Sequence, residues 1–237
     1  MSLDCVLRLS VRTIASHIRA VRPVAVLLAI CCCLSAVSGQ WLEETIYLPD
    51  SFGGLLQPQS LVYDSVHNAV YVAGDAGDCV IVLDGSSGQR VARIPICGPA
   101  RALCVNPREN KVYCANENNE CVTVIGSAAN SVIATVPTGI FPNALCYNSQ
   151  DNKVYCANDS STSVTVIAGV VDSVVATVAV GSNPRAICYN PAENQVYVAN
   201  YGSGSVTVIA GNSDSVVTTV TVGANPIALC YESMSLG

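Results

Sequence analysis

The heptapeptide Asn-Lys-Val-Tyr-Cys-Ala-Asn occurs twice in this chain of 237 residues, at Asn110–Asn116 and at Asn152–Asn158, with starting points 42 residues apart. A literal copy at that distance points to one structural unit built several times over, and the interval recurs throughout the chain after residue 57. Tyr71, Tyr113, Tyr155 and Tyr197 follow it, as do Cys104, Cys146, Cys188 and Cys230. Pro142, Pro184 and Pro226 follow it too, and Pro58 stands two periods before Pro142.

The unit beginning at Pro142 contains four short apolar runs: Ala144–Tyr147, Lys153–Ala157, Ser163–Ala168 and Ser173–Val180. Each is rich in Val, Ile, Thr or Tyr and is bounded by Asn, Asp, Ser, Gly or Pro, which is the pattern of strands and turns. No stretch keeps a helical period. Runs such as Ser-Val-Val-Ala-Thr-Val are apolar on both sides, as in a sheet covered on both faces. Four antiparallel strands in a repeat of this length describe a blade of a β-propeller. The expected fold is therefore all-β, with four-stranded antiparallel blades at residues 58–99, 100–141, 142–183 and 184–225. Orphan strands flank them. Glu44–Pro49 resembles a last strand within a lead-in at 40–57, and Pro226–Glu232 resembles the first strand of a partial unit at 226–237.

These repeats resemble the YVTN family of propeller proteins over about residues 44–232. Its Tyr-Val-x-Asn stands here as Tyr113-Cys114-Ala115-Asn116, Tyr155-Cys156-Ala157-Asn158 and Tyr197-Val198-Ala199-Asn200, with a degenerate copy at Tyr71. The family's Asp after Val-Ile survives only as Asp84, where later units have Gly126, Ala168 and Ala210. The resemblance implies a ring of about seven blades, so three readings of four blades stay open. The chain is a fragment, an open arc whose end blades self-associate, or a small strained ring; uncapped ends of a repeat array favour association.

Residues 1–39 have the layout of a cleaved export signal. Arg8, Arg12, Arg19 and Arg22 precede an apolar run of about 15 residues, shorter than the roughly 20 that span a bilayer. Small residues, Val37 and Gly39, precede the cut before Gln40. The expected location is periplasmic, extracellular or at the cell surface, with no membrane insertion after cleavage. Cleavage leaves a net charge of about −9 and only two lysines, Lys111 and Lys153. That balance lacks the basic footprint of a nucleic-acid partner.

Nine of the thirteen cysteines follow residue 39. Cys114 and Cys156 exchange with Val72 and Val198, and Val62 occupies the position of Cys104, so these thiols fit as small buried hydrophobes. The alternative is cross-strand disulfides, Cys104–Cys114 and Cys146–Cys156, with Cys79 and Cys121 as rival partners. There is no Cys-x-x-Cys, and equivalent cysteines on successive blades do not converge, so no metal site is expected.

Catalytic equipment is sparse. After the leader there is one histidine, His67, in a turn position filled by Glu109, Asp151 and Glu193 in later units. Trp41 is the single tryptophan, and no phosphate-binding, dinucleotide or zinc-protease motif occurs. No catalytic residue and no cofactor is expected. Function on such a scaffold sits on loops, and Arg101, Glu117, Asn118, Asp159, Arg185 and Tyr201 are the candidate contacts at one mouth of the channel. The chain is expected to be an exported, non-catalytic binding or surface-interaction scaffold for a protein or small ligand. Two alternatives remain: a fragment of a lactonase-like or dehydrogenase-like propeller enzyme with its active site in missing blades, or a structural surface-layer component.

Overall fold

A computed structural model of the chain describes residues 55–232. The chain divides into Met1–Tyr47 and Leu48–Gly237, and the described residues all belong to the second unit. The export signal, Trp41 and the lead-in strand Glu44–Pro49 lie outside them.

Among the described residues sixteen strands form four separate four-stranded antiparallel sheets, each in simple sequence order. Blade 1 comprises β1 (Leu56–Asp64), β2 (Ala69–Ala76), β3 (Cys79–Asp84) and β4 (Arg90–Pro95). Blade 2 comprises β5 (Ala100–Asn106), β6 (Lys111–Asn116), β7 (Cys121–Gly126) and β8 (Ser131–Pro137). Blade 3 is β9 (Pro142–Asn148), β10 (Lys153–Asn158), β11 (Ser163–Ala168) and β12 (Ser173–Ala179), and blade 4 is β13 (Pro184–Asn190), β14 (Gln195–Asn200), β15 (Ser205–Ala210) and β16 (Ser215–Thr221). First strands of successive sheets lie against one another while fourth strands scarcely meet, so the sheets fan out from a common axis as propeller blades do. β1 begins at Leu56, inside the expected lead-in, because its ladder with β2 runs on to the Leu56–Ala76 pair.

The middle strands carry the core. Every residue of β6 is buried, whereas the outer strand β8 keeps only Val136 buried. The turns between first and second strands are built alike. Asn106 Oδ1 accepts the backbone N–H groups of Arg108 and Glu109, and Asn148 Oδ1 those of Gln150 and Asp151. These Asx turns are followed by Asn110 and Asn152 at φ 53°, a left-handed position that asparagine tolerates well.

The repeated heptapeptide is explained by the seam between blades. Lys111 Nζ and Tyr113 Oη reach across to the two carboxylate oxygens of Asp172 at 2.8 and 2.7 Å. Lys153 and Tyr155 bind Asp214 in the same way. Val112, Cys114 and Ala115 fill the core, and Asn116 Nδ2 donates to Thr123 Oγ1 at 2.7 Å within its own blade. At the first seam Ala69 replaces the lysine and Asn130 the aspartate, leaving a neutral bond from Tyr71 at 2.7 Å. The lysine thus occurs where the carboxylate of the next blade awaits it. Burial, followed by the bond to Asp172, pushes the Tyr113 hydroxyl far above its ordinary pKa, which keeps it a donor.

Each blade covers its neighbour, and the fourth shows what an uncovered side looks like. Ile94, Val136 and Val178 occupy one position of successive fourth strands and are 2%, 0% and 6% exposed, but Val220 in blade 4 is 50% exposed. Pro226–Glu232 was expected as a further first strand; it forms no strand, because no second strand among the described residues pairs with it.

Two outcomes are expected from urea denaturation. Val136→Ala should cost about 2 kcal/mol through lost burial and a residual cavity, while Val220→Ala should cost almost nothing. Asp172→Asn should cost about 3 kcal/mol by stranding the buried ammonium of Lys111, and the double variant with Lys111→Met should recover most of that loss.

Candidate functional site

The candidate loop residues meet because of a bulge repeated at the start of each blade. Ala100 pairs with Asn116 and Ala102 with Ala115, so Arg101 is left out of the ladder. Asn143 and Arg185 are skipped in the same manner in blades 3 and 4. A bulged residue points away from the regular alternation of the strand. Here it points to the end of the propeller where the loops between second and third strands emerge.

There Arg101 Nη1 donates to both oxygens of Asp75 at 3.1 and 3.3 Å and lies 3.8 Å from Glu117 Oε2. Its Nε donates to Asn143 Oδ1 at 3.3 Å, and Asn143 in turn donates to the backbone carbonyl of Arg185 at 3.5 Å. Arg185 Nε donates to both oxygens of Asp159 at 3.2 and 3.3 Å, with its guanidinium 3.9 Å from the ring centre of Tyr201. Gln59 joins the far side through Asp75. A relay of side chains therefore crosses all four blades at one end. The second-to-third loops are held by backbone bonds from Glu117 N–H to Pro99 O (3.1 Å), Asp159 to Phe141 (2.8 Å) and Tyr201 to Asn183 (2.8 Å).

Five of the six expected residues belong to this relay: Arg101, Glu117, Asp159, Arg185 and Tyr201. Asn118 is exposed in the short 3-10 turn Glu117–Asn119 beside it. Asp75, Gln59 and Asn143 are further members. Asp75 was legible in principle, since Asp75–Arg101 and Asp159–Arg185 share an interval of 26 residues. Glu117 has Asn143 at that interval instead of an arginine, so its ion-pair partner is Arg101 at 3.8 Å, a guanidinium already bound to Asp75. Burial raises the Glu117 carboxyl above its ordinary pKa; Arg101 opposes this, and Asp75 and Asp159 add to it. Glu117, largely buried and paired only loosely with Arg101, is thus the acid of the relay with acceptor capacity to spare.

His67 lies elsewhere, at the opposite end of β2 from Asp75, with Nδ1 2.8 Å from Asp64 Oδ2. Among the described residues no grouping of His, Cys, Asp or Glu could hold a metal ion.

The expected disulfides are out of register. Cys104 stands opposite Tyr113 and Cys114 opposite Leu103; likewise Cys146 faces Tyr155 and Cys156 faces Leu145. Residues directly opposite share a face and neighbours along a strand do not, so each proposed pair straddles the sheet. All four are free thiols, and burial pushes the Cys104 thiol up to about 12.

Four-stranded antiparallel sheets fanned about an axis, with a polar relay at one end, define a β-propeller. The family model described as "Lactonase, 7-bladed beta-propeller" matches residues 131–225. The chain is also similar to the solved structure of hydrazine synthase from Kuenenia stuttgartiensis, with 17% identity and a TM-score of 0.67. That match covers 78% of this chain and 54% of the other, so this chain spans about half the length of that neighbour. No curated protein sequence matches.

Because the Glu117 pKa is raised on folding, its contribution works against stability once pH rises past the unfolded carboxyl value. Glu117→Gln should therefore unfold at higher urea than the parent at neutral pH. The two chains should converge as pH falls below about 4, where the parent carboxyl is protonated in both states.

Proposed function

We propose that this protein is an exported, non-catalytic propeller that binds a polar ligand or a polar protein loop at the relay end. The carrying observation is the relay itself. Arg101 and Arg185 are each clamped by a carboxylate from the preceding blade, which fixes their direction and lowers the entropic cost of using their remaining N–H donors. Glu117 sits beside Arg101 as an under-occupied acceptor, and Tyr201 offers a ring edge beside Arg185. Three carboxylates against two guanidinium groups suit a ligand bearing hydroxyls or an amine. The uncovered side of blade 4, with Val220 and its neighbours, supports association with a further blade or a second copy.

A lactonase-like enzyme is the second reading, favoured by the family match over residues 131–225. That segment contains no histidine, and its carboxylates are Asp151, Asp159, Asp172, Glu193 and Asp214. Four are engaged in holding the fold: Asp151 accepts from Asn148 and Asn194, Asp159 from Arg185, Asp172 from Lys111 and Asp214 from Lys153. A carboxylate so committed is a poor general base, which supports binding over turnover.

The two readings separate in paired assays. The purified chain should retain members of an array of glycans and short peptides, and Glu117→Gln combined with Arg185→Ala should weaken that retention at least tenfold. Dihydrocoumarin, a simple lactone, should hydrolyse no faster with the protein than in buffer; turnover above that background would overturn the non-catalytic reading.

A further inference from the structure

Cys97 lies in the link between β4 and β5, and Cys121 opens β7, so the two belong to neighbouring blades. Their sulfurs are 2.8 Å apart. Ordinary non-bonded contacts between heavy atoms rest at roughly 3.5–4 Å. Thr123 Oγ1 flanks Cys97 Sγ at 3.4 Å, and Asn116 Nδ2 approaches Cys121 Sγ at 3.4 Å. The Asn119 side chain donates to the carbonyl of Cys97. The pair is held from several sides.

The repeat supplies an internal comparison. Cys97 stands where the later units have Gly139, Gly181 and Gly223, and Cys121 where they have Ser163 and Ser205. A Cβ added at Gly139 would come within 2.7 Å of Asn158, and one at Gly181 within 2.7 Å of Asn200. A side chain at this position is therefore driven against the neighbouring blade. Only the first link carries one there, and the residue it meets in that blade is also a cysteine.

We propose that Cys97 and Cys121 are a disulfide site that locks the link between blades 1 and 2 when the chain meets a thiol–disulfide donor such as glutathione disulfide or a protein disulfide. Cys97, the more accessible of the two, attacks as thiolate on one donor sulfur and expels one donor thiolate. Cys121 then gives up its proton and attacks Cys97 Sγ, forming the Cys97–Cys121 bond and expelling the second donor thiolate. Two cysteine thiols are oxidised and the donor is reduced to two thiols, which take up the two protons. Burial pushes the Cys121 thiol up to about 12, so closure is slow at neutral pH and quickens as pH rises. The covalent ring encloses Arg101, Glu117 and Asn119. Oxidation thereby fixes the first seam of the relay, a control the Gly139–Ser163 and Gly181–Ser205 seams cannot exercise.

The rival partner is Cys114, which faces Thr123 and so shares a face of the sheet with Cys121. The test supplies its own donor and does not depend on where the protein resides. The reduced full chain is incubated with glutathione disulfide, its free thiols are counted, and it is digested without reduction by trypsin, Glu-C and chymotrypsin, which separate Cys97, Cys114, Cys121 and Cys146. The expected result is the loss of two thiols, one linked peptide pair joining Cys97 to Cys121, and a rise in melting temperature of about 5–10 °C. Cys97→Gly and Cys121→Ser place residues that other blades already carry at those positions, and each should abolish the crosslink and the rise. An unchanged thiol count, a stable mixed disulfide with glutathione, or a bond from Cys97 to Cys114 would overturn the proposal.

Discussion

The seam between blades is the interaction on which the rest of the structure depends. A four-stranded sheet that is apolar on both faces cannot stand alone in water, and each blade here exists because another covers it. Apolar contact alone would leave rotation and slip between blades weakly specified. The Lys111–Asp172–Tyr113 and Lys153–Asp214–Tyr155 groups remove that freedom, because a buried ammonium satisfied in one register is stranded in any other. The first seam does the same with a neutral Tyr71–Asn130 bond.

Seams of this kind leave the ends of the blades free to differ. The bulge at each first strand throws one residue out of the ladder toward the relay end, and nothing in the core dictates what it must be. Arg101, Asn143 and Arg185 occupy that position, so chemistry can vary from blade to blade without disturbing the packing. The surface pairs they make are partly exposed and contribute little to stability. Their physical effect is to orient donors and acceptors in advance, which is what a binding surface gains from rigid support.

Much of this was legible from periodicity. The interval between tyrosines placed every blade, and the strand runs in the unit from Pro142 match the observed β9–β12 except that Val180 lies one residue past the end of β12. The loop residues were legible as a group because they vary inside a constant frame. Three things were not. Asp75 stood outside the expected set, although its pairing with Arg101 crosses a blade boundary just as that of Asp159 with Arg185 does. The Cys104–Cys114 and Cys146–Cys156 pairings fail by one residue of register, and a step of one moves a side chain to the other face of a strand. The Cys97–Cys121 approach joins a link to a strand of the next blade, a relation no spacing within one unit reveals.

By itself, the sequence determined the all-β class, the blade as the repeating unit and the identity of the core positions, because alternation and turn residues act over a few neighbours along the chain. Tertiary structure alone decided which side chains meet: Lys111 with Asp172, Arg101 with Asp75 and Asn143, Cys97 with Cys121. Those meetings depend on how far one blade is turned against the next and on bulges that shift register by a single residue. Both are set by packing summed over whole sheets, and no local run of residues encodes them.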